Sequence, residues 1–338
     1  MNIRPSLKIS RVWLYLTERC NERCIYCEDR EFFKSPKDIS EKVLKGVFDF
    51  LRANNQTTNI EFWGGEPLLR QDLIKYCTTN HPEHFYLLAT NGVLINEDIL
   101  TGIGKVIFSC DGRKVVQDFQ RPLVNGLGSY DIIKWDLLRK INPVVHICRY
   151  PKSGNLIEEV KFFIKQGFTT IQIEFCEGVT PNDEDLNIYC DELRYLAKYY
   201  PSYIINWDTF GIKYANDGNK FMGSNEVTIT FDTNGDMYLT CFFARRKIFK
   251  FGNVFDGYDD KILDMVLQRF NNNERCKSCI CHNNCIHMGS AGVYSIEEEF
   301  PTILSNQCIY LRKEHEIVLN AKAERQRILE KKHEQIRF

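Results

Sequence analysis

The chain carries almost no net charge: 44 Lys and Arg stand against 45 Asp and Glu, leaving −1 at pH 7. Such a balance provides no sequence-wide field of the kind that draws nucleic acid or an anionic membrane surface. No stretch approaches the roughly 18 consecutive apolar residues that a membrane span requires. The opening segment, Met1 to Lys8, has no apolar core and does not read as a signal peptide. These absences predict a cytosolic protein that engages neither membrane nor nucleic acid.

Cysteine, by contrast, is plentiful, with 14 residues in a compartment where disulfides seldom persist. Clustered thiols there read first as metal or redox ligands. Cys20, Cys24 and Cys27 form one group; Cys276, Cys279, Cys281 and Cys285 form another, with Cys308 downstream. The isolated Cys77, Cys148 and Cys190 read as small buried hydrophobes. At 338 residues, 43% apolar and 13% aromatic, the chain suits one main domain with an appendage.

Short apolar runs starting near Val12, Ile60, Phe85, Val106, Val144 and Thr170 read as six strands. Helical spacing fills the gaps, with Ser40 as an N-cap before Val43 to Leu51 and helices over Leu68–Cys77, Ser129–Arg139 and Leu156–Lys165. A further helical stretch begins at Asn96 to Leu100. Alternation of this kind predicts parallel strands joined by right-handed crossovers. The polar and Gly-rich motifs each follow a strand, so they converge at the end of the sheet that carries ligand sites in such folds.

Cys20, Cys24 and Cys27 can turn three thiolates to one point as the chain leaves the first strand. Three thiolates on a four-iron cluster leave one iron open to a small molecule. A zinc site or scattered core thiols are the alternatives, and zinc usually wants four ligands where no fourth lies close by. In Gly64-Gly65-Glu66-Pro67, two glycines permit close backbone approach to a ligand, and the carboxylate suits an ammonium group. A plain strand-to-helix turn with Pro at the first helical position would have the same residues.

Together these motifs resemble the radical S-adenosylmethionine (radical SAM) superfamily: C-x3-C-x2-C with an aromatic before the last Cys, then GGEP one strand later. Ser109-Cys110-Asp111-Gly112 with Asp118 to Arg121 is similar to the branch bearing C-terminal SPASM or twitch domains, which modifies peptides and proteins. The resemblance runs from about Val12 to Cys308 and implies an α/β fold. It would comprise a partial (β/α)6 barrel over 1–215, a small SPASM/twitch-like Fe–S domain over 216–310 and a C-terminal helical tail over 311–338. It implies a [4Fe-4S] cluster on Cys20, Cys24 and Cys27, with S-adenosylmethionine held by Gly64, Gly65 and Glu66 at its amino group. Ser109 and Arg121 would take its carboxylate, and the backbone of Tyr26 its adenine; Asn91 lies in a like segment, and Asp111 would contact ribose or substrate.

Asn234 to Cys241 looks like the opening hairpin of a SPASM domain. The family's first auxiliary cluster loses ligands at Asp256 and Gly289, which leaves Cys276, Cys279, Cys285 and Cys308 for one auxiliary [4Fe-4S] cluster. Cys281 could replace one of them, and zinc remains an alternative for this set. Cys241 is then either a packing residue or a thiol aimed at the active site, able to give a hydrogen atom; Cys110 and Cys176 raise the same question.

The implied chemistry is reductive cleavage of S-adenosylmethionine to a 5′-deoxyadenosyl radical that takes hydrogen from a peptide. The reading is a maturase of a ribosomally made peptide forming a thioether or carbon–carbon cross-link. The alternatives are a peptide epimerase using Cys241 and a sulfatase-type formylglycine maturase. An external one-electron reductant of flavodoxin or ferredoxin type is expected. The first barrel strand lies almost at the start of the chain, so a separate peptide-recognition protein is also an expectation.

Overall fold

Unbroken burial along the first strand from Val12 to Thr17, the mark of a strand covered on both faces, sets the architecture. In β1 (Lys8–Thr17), Val12, Leu14 and Leu16 are completely buried on the helix side, and Arg11, Trp13 and Tyr15 point to the opposite, concave face. The structure, a computed structural model, describes residues 8–27, 34–151, 153–176, 182–204, 226–239, 241–245 and 247–264, with parts of 312–327.

Five more strands follow in parallel and in sequential order: β2 (Asn59–Gly64), β3 (Phe85–Thr90), β4 (Ile103–Ser109), β5 (Val144–Arg149) and β6 (Ile171–Phe175). This is the six-stranded run expected of the α/β fold and is consistent with a partial barrel. Helices α1 (Glu41–Ala53), α2 (Gln71–Asn80), α5 (Leu156–Lys165) and α6 (Asp183–Tyr199) follow β1, β2, β5 and β6. Helices α3 (Lys114–Gln120) and α4 (Trp135–Ile141) both follow β4, and β3 is followed only by a 3₁₀ turn, Asp98–Leu100, where a longer helical stretch was expected. Ser40 caps α1 by accepting from Val43 N at 3.2 Å, and Asn155 and Asn182 cap α5 and α6 in the same way. The core lies between sheet and helices, where Leu44, Leu51, Ile74, Val160 and Phe163 meet Leu14, Phe62, Leu88 and Val145.

Several elements depart from the sequence reading. The helix expected over Leu68–Cys77 starts as a 3₁₀ turn at Pro67–Arg70 before α2. The one expected over Ser129–Arg139 is broken into a 3₁₀ turn, Tyr130–Ile132, and α4. Ile133 is extended and Lys134 N donates to Gly92 O, so tertiary contact interrupts the helical spacing. Helices α3 and α6 had no counterpart among the expected elements.

The hairpin after the barrel is part of the same sheet. β7 (Glu226–Phe231) lies parallel to β1 on its free edge, with Val12 opposite Ile229 and Trp13 opposite Thr230. β8 (Asp236–Tyr238), β9 (Gly252–Asn253) and β10 (Gly257–Tyr258) then add antiparallel strands, giving the order β10-β9-β8-β7-β1-β2-β3-β4-β5-β6. The Asn-Gly signal becomes a three-residue loop, with Gly235 N bonded to Asp232 O and Gly235 at φ +81°. In the tail, Ile317 is buried and Tyr189 of α6 donates to Glu314 at 3.5 Å.

Phe231 of β7 is fully buried, edge-on to Phe50 of α1 at 5.7 Å. Phe231→Ala should therefore cost the whole fold about 3–5 kcal/mol. Urea denaturation would show the main transition shifting; a change confined to a minor phase would mean that β7 folds apart from the barrel.

Candidate active site

The end of β1 is where the site begins. The β1–β2 register shifts between Tyr15 and Thr17, a bulge that re-aims the chain just before the cysteine loop. The loop is then held by main chain from two directions. From one side, Gly65 N donates to Thr17 O at 2.9 Å and Glu66 N to Arg19 O at 2.8 Å. From the other, Arg23 N donates to Pro122 O, Ile25 N to Gln120 O and Val124 N to Asn21 O at 2.7–3.1 Å. Residues a hundred positions apart are thereby locked together.

The two glycines also serve this clamp. A Cβ on Gly64 would stand 2.3 Å from Thr17 O, and one on Gly65 would stand 2.1 Å from Arg19 O. What approaches these glycines is the backbone of the cysteine loop itself.

Cys20, Cys24 and Cys27 are all half-buried. Burial pushes the Cys20 thiol up to about 12, and Cys24 is raised as well, with the Arg121 guanidinium opposing. The charge on Cys24 is felt alongside those of Cys27 and Cys20, so the three thiols share one region. Buried thiols of this kind stay protonated unless a positive centre joins them, and iron supplies one. Among the described residues no three His, Cys, Asp or Glu side chains converge as a single ion requires. Three thiols of one loop that act on one another's charge suit a cluster that offers each its own iron.

Around the thiols lies a buried polar layer. Asp111 accepts from Tyr26 Oη at 2.6 Å, from Gln120 Nε2 at 2.6 Å and from Cys148 N at 3.0 Å, and Arg121 Nε stands 3.0 Å away. Arg121 also sits over the Tyr26 ring at 5.4 Å and reaches Cys24 Sγ at 3.7 Å. Asp111 therefore orients the arginine that the motif reading assigns to the carboxylate of S-adenosylmethionine. Glu66 is almost wholly buried and accepts from Leu68 N, Thr90 Oγ1 and Asn91 N at 2.8–3.1 Å. Burial lifts its carboxyl to about 7 despite those bonds. Asn91 in turn donates to Asn21 of the cysteine loop at 2.7 Å. Glu22, inside that loop, is buried and its carboxyl is raised to about 8 by desolvation, with Arg121 opposing.

Ser109 is half-buried at the tip of β4, opposite His146 in the β4–β5 register. The same concave face carries Cys148, Gln172 and Glu174, with His146 Nε2 3.1 Å from Glu174 and Gln172 donating to Glu174 at 2.7 Å. No motif singles out His146, Gln172 or Glu174, and Cys148, expected as a buried hydrophobe, stands on this face instead. Cys148 is half-buried beside Asp111, and the two-residue alternation of β5 was the signal that placed it with His146. Cys77 and Cys190 are buried as expected, and Cys110 and Cys176 are enclosed as well. Cys241 is half-buried in a 3₁₀ turn, Cys241–Phe243. That segment abuts the start of the cysteine loop, where Arg245 covers the Tyr15 ring at 4.6 Å and lies 3.7 Å from Glu18. Cys276, Cys279, Cys281, Cys285 and Cys308 lie outside the described residues.

A sequence model of the Radical SAM superfamily matches residues 14–108. An uncharacterized protein of Methanocaldococcus jannaschii is 32% identical over 248 residues, covering 67% of this chain and 82% of that protein. A GTP 3′,8-cyclase of Aliarcobacter butzleri is 28% identical over 213 residues, which span 58% of this chain and 65% of the cyclase. In fold, the chain is similar to anSMEcpe solved with bound AdoMet and Cp18Cys peptide. The TM-score is 0.70 at 19% identity, covering 94% of this chain and 99% of that one.

Gly65→Ala tests the clamp on the cysteine loop. The added methyl meets a backbone carbonyl that has no rotamer with which to yield. The variant should fold yet lose most of its iron and inorganic sulfide after anaerobic reconstitution, and full metal content would show that the loop tolerates displacement.

Proposed function

The chain belongs to the radical SAM superfamily, and from that premise we propose that it is a peptide-modifying maturase acting through a 5′-deoxyadenosyl radical. The observation that carries the radical half is the convergence of Cys20, Cys24 and Cys27 with Glu66 and Arg121 at one end of the sheet. The thiols would hold a [4Fe-4S] cluster, which with bound S-adenosylmethionine supplies the electron that releases the radical. Arg121 offers a fixed fork to a carboxylate, kept in place by Asp111 and the Tyr26 ring. Gly64 and Gly65 keep the cysteine loop against the GGEP turn.

The peptide half rests on two supports. One is the likeness of fold to anSMEcpe, a protein solved with a peptide bound. The other is a concave face whose half-buried Ser109, His146, Gln172 and Glu174 can hydrogen-bond an incoming chain. On this reading 1–215 is the catalytic barrel and 216–310 an auxiliary-cluster domain. Cys276, Cys279, Cys285 and Cys308 hold one further [4Fe-4S] cluster, and an external one-electron carrier supplies the reductant. The product is a thioether or carbon–carbon cross-link. The anchoring of the Cys241 segment beside the cysteine loop favours a second reading, epimerisation with Cys241 as hydrogen donor.

Two experiments test this. In anaerobic reconstituted protein with dithionite, Cys24→Ala should abolish 5′-deoxyadenosine formation, and persistent cleavage would refute the cluster assignment. Co-expression with short peptides encoded beside the gene should yield a product lighter by two hydrogens if a cross-link forms. A product of unchanged mass carrying solvent deuterium, lost in Cys241→Ala, would indicate epimerisation, and turnover of GTP with no peptide product would replace the peptide reading.

A further inference from the structure

Glu22 is the buried carboxyl group in this site that the assignments above leave without a task. Only 1% of the residue is exposed, and its Oε1 atom is buried with no hydrogen-bond partner among the described residues. Its other oxygen lies 3.6 Å from Cys24 Sγ and 3.9 Å from Arg121 Nη1. Glu66 and Asp111 are near enough for their charges to act on it. A buried acceptor left unsatisfied is costly, so the site as folded waits for a donor to arrive beside Oε1.

The chemistry of the neighbours says which donor. An α-amino acid carries its amino group and its carboxylate on one carbon, so a carboxylate and a guanidinium about 4 Å apart match both ends at once. Glu66, the residue assigned to the amino group by motif, already accepts three donors. We propose that Glu22 accepts the amino group of S-adenosylmethionine while Arg121 beside it takes the carboxylate. This rests on the radical SAM reading and adds to it a recognition residue inside the cysteine loop.

The test compares binding of three probes to the anaerobically reconstituted protein by equilibrium dialysis. S-adenosylmethionine and S-adenosylhomocysteine share the amino-acid end; 5′-methylthioadenosine lacks it. Glu22→Gln should weaken the first two by about ten- to a hundredfold, the range for a hydrogen bond to a charged group. Binding of 5′-methylthioadenosine should stay as in the unaltered protein. Iron is measured in parallel, and a Glu22→Gln protein that takes up none hands the comparison to Glu22→Asp, whose shorter arm should weaken the same two probes. Unchanged binding of S-adenosylhomocysteine overturns the assignment, since a loss confined to S-adenosylmethionine would place Glu22 at the sulfonium. Equal loss of all three probes in both variants overturns it too. If the unaltered protein binds none of the three, the radical SAM reading itself falls.

Discussion

Main-chain hydrogen bonds to the cysteine loop are the constraint on which the rest of this site depends. Side chains such as Tyr26 and Asn21 contribute bonds to Asp111 and Asn91, but the longest-range anchors are made by backbone. The loop is pinned to the GGEP turn on one side and to residues 120–124 on the other. The first is the turn between β2 and α2 and the second is the chain leaving α3 in the connection after β4, and the parallel sheet brings these connections to one end. Such clamps are directional and short, so they position the thiols more tightly than side-chain contacts on a free loop would.

A second consequence concerns charge. Packing Glu22, Glu66, Asp111 and Arg121 into one buried region is unfavourable unless each finds partners. Asp111 and Glu66 have them within the fold, through three hydrogen bonds each. Glu22 keeps one oxygen unsatisfied among the described residues. Within this acidic group the scaffold carboxylates are thus satisfied by the fold, and the loop carboxyl is the one left to meet a donor.

The hairpin that follows the barrel illustrates how an appendage becomes part of a site. By pairing β7 with β1, the sheet continues across the strand that carries the cysteine loop. Arg245 and Thr233 then reach back to Glu18, the latter at 2.9 Å, just ahead of Cys20. The segment bearing Cys241 is thus tied to the barrel mouth by charge, hydrogen bonding and the buried Phe231.

The sequence by itself determined the six strands, their parallel order and the end of the sheet where chemistry occurs. Short apolar runs, Gly-rich turns and the Cys20–Cys27 spacing are local properties, and local properties survive in a one-dimensional reading. Only the tertiary structure decided what lies against Gly64 and Gly65, since the colliding carbonyls belong to residues almost fifty positions away. It also broke the Ser129–Arg139 helix, because the bond from Lys134 to Gly92 outweighs helical spacing. The same holds for Cys148 and Glu22. Alternation along β5 can give the face of Cys148 and the cysteine motif the location of Glu22, but what stands beside each, Asp111 and the buried Arg121, follows from the fold alone. Spacing along the chain says which residues can carry a chemistry; the long-range contacts, formed at the cost of loop closure, say which of them meet.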